Sequence, residues 1–397
     1  MRTGPSPRRG WENQETSTLK TDRRSVVRVT SAAAALATCA TSLMAGAGPA
    51  SAASKYQDAT SVAAFGGMAG LVKAAKAEGH LNVITLPNNW CNYGTILSTF
   101  SKKYGISITS ENPEGSSQDE INAMVQFKGQ SREPDVLDMG TPFAIKADQQ
   151  HLLAHYRVSS WAAIPGAQKA NDASWWADYG GYVAIGYNSA VVKTPPKTFK
   201  DLLKPVYKHM VGINNSPTVA GAAFAAVYAA ALANGGSFGN IAPGVAYFQK
   251  LNKEGNFVPV VAGPSTVQSG ATPIVIWWDY LQASEIAPEV KTWKVVIPSD
   301  GIYASYYDQA ISANAPDPAA ARLWEEYLYS VAGQNQWLQG YCRPIELPSM
   351  IKNGTVDQAA LKALPPVPSG FKGYPTSAQT AQAENVVAKE WSIKVAS

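Results

Sequence analysis

At 397 residues the chain exceeds what one hydrophobic core usually supports, so two domains with their own cores are expected. Charged residues make up only 16%, and 11 Trp with 18 Tyr exclude a disordered, charge-rich protein. The formal net charge of +4 sits in the leader, where residues 1–53 hold seven bases against three acids. The remaining 26 of each sign exclude an electrostatic nucleic-acid binder.

In chain order, the first signal is "DRRSVVR" at 22–28, which resembles a twin-arginine export signal, with Asp22 where Ser or Thr is usual. An apolar run from Val29 to Met44 and the small residues of "GPASA" predict cleavage near Ala52. A membrane anchor is the weaker reading, because the run falls short of the ~20 residues a spanning helix needs. "LATC" ending at Cys39 is a poor lipoprotein box, since Thr38 fits badly and the apolar run continues past it. The expectation is a soluble, cleaved, periplasmic protein exported by the twin-arginine or the general route. Its remaining cysteines, Cys91 and Cys342, form either a disulfide or two buried thiols.

The mature chain then alternates. A helix is predicted over 62–79, ending on Gly79, followed by a strand at 80–87, a helix at 95–105 and a strand at 106–112. A helix at 117–129 opens on a serine cap with acidic residues in its first turn, and 134–140 is a third strand. Further on come strands at 179–188 and 210–217, an alanine-rich helix at 219–236, a helix at 244–255 and a strand at 272–280. Residues 293–311 are expected to be extended, and 316–340 to form one long helix. Strands alternating with helices through short connections predict an α/β fold with parallel sheets.

Two stretches, "GYVAIGYNSAVVKTPPKTFKDLLKPVYKHMVGI" and "YYDQAISANAPDPAAARLWEEYLYSVAGQNQWLQGYCRPI", resemble the solute-binding proteins of ABC importers. The resemblance is to the group that holds ferric-iron, thiamine, polyamine and aminoethylphosphonate binders. It implies the two-lobed, type II-like periplasmic-binding-protein fold, with crossing segments near 180–188 and 298–308 and a ligand cleft between the lobes. The corresponding boundaries are 1–52 for the export signal, 53–184 for the first part of lobe 1, 185–300 for lobe 2 and 301–397 for the return. Implied partners are an inner-membrane ABC permease with a separate ATPase, and the chain is expected to be a monomer.

Independently of any family, ligands of open α/β sheets sit beyond the carboxyl ends of strands. Those ends carry Trp90, Asn92 and Tyr93 in "NNWCNYG", Ser116 and Ser117 in "PEGSS", and Thr141. In the second half they carry Ser216 and Thr218 in "SPTVAG", and Trp278, Asp279 and Tyr280 in "WWDY". Hydroxyls before a helix start suit an anion, or simply cap the helix. Aromatic faces with a carboxylate suit a cation, which makes Asp279 the expected counter-charge of a nitrogenous cation such as thiamine or a polyamine. Period-2 alternation puts Trp277 and Trp278 on opposite faces. Ferric-binding relatives grip metal with adjacent tyrosines near this position. Here the adjacent pair, Tyr306 and Tyr307, comes later, on the second crossing, which ranks iron below the cation. An aminoethylphosphonate binder stays open as an alternative.

Enzyme signatures fail on context. "GGSFG" (235–239) follows a helix rather than a strand, and "HLLAH" (151–155) lacks the glutamate of a zinc protease helix. No cofactor motif and no metal-ligand spacing is present among the four histidines. An exported enzyme on the same fold is the less favoured alternative, because no acid–base pair stands at the strand ends.

Overall fold

The computed structural model describes residues 54–366 and 369–395. The export signal expected at 1–52 lies outside these residues. Among the described residues ten strands form one continuous ladder: β1 His80–Ile84, β2 Ser107–Glu111, β3 Val136–Gly140, β4 Trp176–Asn188, β5 Val211–Ile213, β6 Phe257–Val261, β7 Ile274–Trp278, β8 Trp293–Val296, β9 Ala304–Ile311 and β10 Arg343–Pro344. Their order is β2-β1-β3-β9-β4-β7-β5-β6, with β8 and β10 both pairing β4.

β4 joins the two halves of this ladder. Its first residues pair antiparallel with β9 and β10, while Val183–Tyr187 pair antiparallel with β7. On one side β1, β2 and β3 run parallel, and on the other β5, β6 and β7 do, as expected where helices cover the connections. A strand buried on both faces reads as a continuous apolar run, and β4 is buried from Trp176 to Gly186. The arrangement is the mixed α/β, two-lobed fold expected from the sequence.

Helix ends follow their caps. The helix Met68–Glu78 stops at Gly79 in the left-handed region, and Tyr93–Tyr104 stops at Gly105 in the same way. The helix Gly221–Ala233 is apolar on all sides and accordingly buried along most of its length. The single helix expected over 316–340 is instead two, Pro318–Leu328 and Val331–Gln339. Ser330 between them takes extended backbone, and its hydroxyl accepts from Gly333 N at 3.2 Å. The extended stretch 293–311 resolves into β8 and β9 with irregular backbone between. β6 has no counterpart among the expected strands; it contains Pro259 and lies at the end of the ladder, where a proline is tolerated.

The backbones of the halves approach closely where β3 ends. A Cβ on Gly140, at the end of β3, would lie 2.8 Å from Gly221 Cα, at the start of the helix that follows β5. Only two glycines allow that backbone contact. Beside it, Gln118 N donates to Val219 O at 3.3 Å.

Candidate functional site

The carboxyl ends of strands from both halves converge on a cavity of about 310 Å³. The loop after β1 contributes Trp90, whose indole N–H donates to Tyr179 Oη at 2.6 Å. This loop has left-handed backbone at Thr85 (φ 53°), Cys91 (φ 45°) and Asn92 (φ 67°). It is tied down by a Cys91–Cys342 disulfide with a Cα–Cα distance of 5.7 Å. Trp90 meets Trp277 edge-on at 6.2 Å and Tyr307 edge-on at 5.6 Å, so three rings form one aromatic corner of the cavity.

Four carboxylates share that cavity: Glu114, Glu120, Asp138 and Glu285. Among the described residues lining it there is no lysine, arginine or histidine. Asp138 Oδ2 accepts from Tyr179 Oη at 2.6 Å and Tyr93 Oη at 2.8 Å. Burial nevertheless dominates and pushes Asp138 up to about 7. Glu120 accepts from Asp138 N at 2.9 Å, and burial, with the charge of Asp138 second, holds it well above the usual carboxylate range. Burial and the facing charge of Glu114 push Glu285 up to about 8. Asn214 and Asn215 add amides at the end of β5.

Of the residues expected from sequence, Trp90, Ser116, Ser117 and Tyr307 line this cavity. Asp279 does not. It is fully buried, its Oδ2 paired with Arg343 Nη1 at 2.7 Å and its Oδ1 accepting from Tyr182 N at 2.9 Å. Its expected role as ligand counter-charge is therefore corrected, because its charge is already balanced within the protein. Trp278 lies on the opposite face from Trp277, as alternation requires, and stacks on the fully buried Tyr280 at 5.9 Å. Trp277 takes the position in the cavity expected for its neighbour.

Thr141 and Tyr306 line a smaller crevice with Trp278, and Tyr306 leans on Tyr374 there at 5.3 Å. Tyr307 borders both spaces and Tyr306 only the smaller one, so the two do not act as a pair in the main cavity. Tyr93 is fully buried behind the cavity and reaches it only through Asp138. Asn92 spends its amide on Gln336 O at 3.0 Å.

The hydroxyl clusters serve the backbone. Ser116 forms a capping box with Asp119, and Ser117 Oγ accepts from Gly140 N at 3.1 Å. Ser216 and Thr218 bond each other at 2.8 Å. The capping alternative holds for Ser116 alone; Ser117 instead binds the end of β3, and Ser216 and Thr218 bond each other without capping the helix that follows. Sequence reasoning missed the assembled acidic group. Glu114 and Asp138 stand visibly at strand ends, but Glu120 lies one turn into a helix and Glu285 beyond β7, and only the fold joins them.

A mixed α/β fold of two halves around an aromatic, acidic cleft defines a two-lobed binding protein. Residues 131–366 match the bacterial extracellular solute-binding protein family, and the chain belongs to that family. No curated protein sequence matches it. In fold it is similar to the periplasmic binding protein AfuA of Actinobacillus pleuropneumoniae with fructose-6-phosphate bound (TM-score 0.62, 19% identity, 79% of this chain and 98% of that one). It is similar also to the ferric binding protein of Campylobacter jejuni (TM-score 0.59, 18% identity, 78% and 98%). A third similar structure is described as a spermidine/putrescine ABC transporter from Listeria monocytogenes (TM-score 0.56, 12% identity, 79% and 99%).

Proposed function

We propose that this protein captures a small nitrogenous cation, foremost a polyamine, and hands it to an ABC permease driven by a separate ATPase. One observation carries the reading: a cavity walled by Trp90, Trp277 and Tyr307, holding four carboxylates and no lining base. Aromatic faces and carboxylates both attract ammonium groups. An anionic sugar phosphate or phosphonate would meet the same four carboxylates without a compensating charge, which counts against it. Among the described residues no group of three or more His, Cys, Asp or Glu side chains is arranged to hold a metal ion. Several carboxylates favour a solute with more than one ammonium over the monocation thiamine.

In this reading the lobes are 53–184 with 301–397, and 185–300, closing on the solute. Residues 1–52 direct the chain to the periplasm and are removed, the monomer binds without catalysing a reaction, and no cofactor takes part.

The test is a thermal-shift panel on the mature chain with spermidine, putrescine, thiamine, 2-aminoethylphosphonate, fructose-6-phosphate and ferric citrate. A ligand at about 100 times its Kd adds roughly 2.7 kcal/mol. For a chain this long that raises Tm by roughly 2–4 °C. A shift with spermidine or putrescine supports the reading. A shift confined to fructose-6-phosphate or ferric citrate overturns it.

A further inference from the structure

We infer that the cavity works as a proton-for-cation exchanger: capturing an ammonium solute expels protons from the carboxyl group of Asp138 and its neighbours into solvent. The inference rests on the cationic-solute reading and concerns how that same site balances its charge.

The geometry behind it is a cluster of buried acids with no buried base. The titratable side chains that interact with Asp138 come from several of the elements around it. Glu120 comes from the helix Ser117–Gln126, Asp178 and Tyr179 from β4, and Tyr93 from the helix Tyr93–Tyr104. Tyr307 and Asp308 come from β9, Tyr280 from the segment after β7, and Glu325 from the helix Pro318–Leu328. None of these is a base; of the bases on the other elements packed against β3, Lys146 donates to Gln118 Oε1 at 2.7 Å and His80 bonds Asp317 and Thr109. Asp138, Asp178, Glu120, Asp308 and Glu325 are all buried. Their nearest compensations are neutral donors: two tyrosine hydroxyls on Asp138, and Gln309 Nε2 on Asp178 Oδ2 at 2.7 Å.

Several buried carboxylates in one cluster cannot all be ionised cheaply, so without a solute the favoured state keeps protons on some of them. Asp138 and Glu120 alone of the five line the cavity. An ammonium entering there lies against those two carboxyl groups and favours their ionised forms. The O–H bond of the acid breaks, its proton leaves to bulk water, and the solute keeps all of its own protons. The cavity's charge is then balanced by the cargo instead of by hydrogen. Burial alone already pushes Asp138 toward neutrality, in line with this geometry. By linkage, each proton released makes Kd fall about tenfold per pH unit, below the pH where the acid ionises unaided.

Two measurements test it on the intact mature protein. The first is infrared spectroscopy of the ligand-free chain at pH 6.5, where the C=O stretch of protonated buried carboxyls is expected and should diminish in Asp138→Asn. Absence of that band overturns the exchange whatever the solute, and needs no variant to fold. The second is calorimetry with spermidine in two buffers of different ionisation enthalpy. Release of about one proton per spermidine, with Kd falling about tenfold from pH 5.5 to pH 6.5, supports the exchange. Spermidine binding with the same heat in both buffers and a flat pH profile overturns the exchange and leaves the cation reading intact. Failure of spermidine, putrescine and thiamine alike to bind overturns both.

Discussion

Asp279 and Arg343 meet at 2.7 Å across 64 residues of chain, with the carboxylate wholly buried and the guanidinium nearly so. Arg343 also donates to Pro365 O at 2.8 Å and lies over the ring of Tyr182. The pair thus fastens the segment after β7 to the returning chain. Removing one partner of a buried pair strands the other charge, so Arg343→Ala should lower unfolding stability by roughly 3–5 kcal/mol. Urea titration followed by tryptophan fluorescence measures this. The same pairing predicts that Asp279→Ala will lower stability without altering which members of the solute panel bind.

The two adjacent tryptophans should separate by phenotype. Trp277 faces the cavity, so Trp277→Leu should weaken spermidine binding by roughly 3- to 30-fold, the worth of a cation–π contact from an exposed to a desolvated site. Trp278 does not line that cavity; it stacks on Tyr280 and meets only the edge of Tyr307, and Trp278→Ala should cost roughly 3–5 kcal/mol of stability. Calorimetric affinity and denaturant midpoints, measured on both variants, check the division. Equal losses of affinity would count against the placement of Trp277.

The disulfide holds the loop that carries Trp90. Joining residues 251 apart in sequence restricts the unfolded chain strongly, and removing such a bond typically costs roughly 2–5 kcal/mol. The Cys91→Ala/Cys342→Ala double variant should therefore melt several degrees lower. Because Cys91 adjoins Trp90 in a stretch of left-handed backbone, it should also bind spermidine more weakly than the oxidised protein. Tm and Kd measured on the same preparation test both effects.

Stability should fall as pH rises through neutrality. Glu78 and Asp138 are raised to about 7 and Glu285 to about 8 by burial first. The ordinary values of such carboxyls lie near ~4. A carboxyl whose folded value is raised binds its proton more tightly in the native state. Its stabilising contribution is complete below about pH 4 and is lost as pH climbs to about 8. The Tm of the ligand-free mature chain should accordingly decline from pH 5 to pH 8. Saturating spermidine should flatten that decline, because it replaces the missing protons at Asp138.

Much of this architecture is written locally. Gly79 and Gly105 announce helix ends, and the capping box of Ser116 and Asp119 announces a start. The strand ends that surround the cavity follow from those boundaries. What could not be read is which strand-end side chain faces which space. "WWDY" carries two tryptophans and an acid, and only the pairing of β7 with β4 turns Trp277 toward the cavity. Arg343, 64 residues downstream, claims the acid. Glu120 was hidden for a related reason, since an acid in the first turn of a helix reads as dipole chemistry until the neighbouring strand brings Asp138 beside it. Long-range pairing decides both cases, and it leaves no local trace.

The bond between Cys91 and Cys342 also closes the intervening chain, with β2 through β9, into a covalent ring. A single proteolytic cut at an exposed turn inside that ring, such as the one at Ser189–Lys193, would leave one linked molecule on a non-reducing gel and two pieces on a reducing one. A pull on the ends of the described chain would extend residues 54–91 and 342–395 before it loads sulfur, so the cavity would lose Thr85, Pro87 and Trp90 first and keep only the lining that lies inside the ring. The disulfide is thus a mechanical clasp at the rim of the cavity, with Trp90 on the free side of it and Trp277 and Tyr307 within the ring.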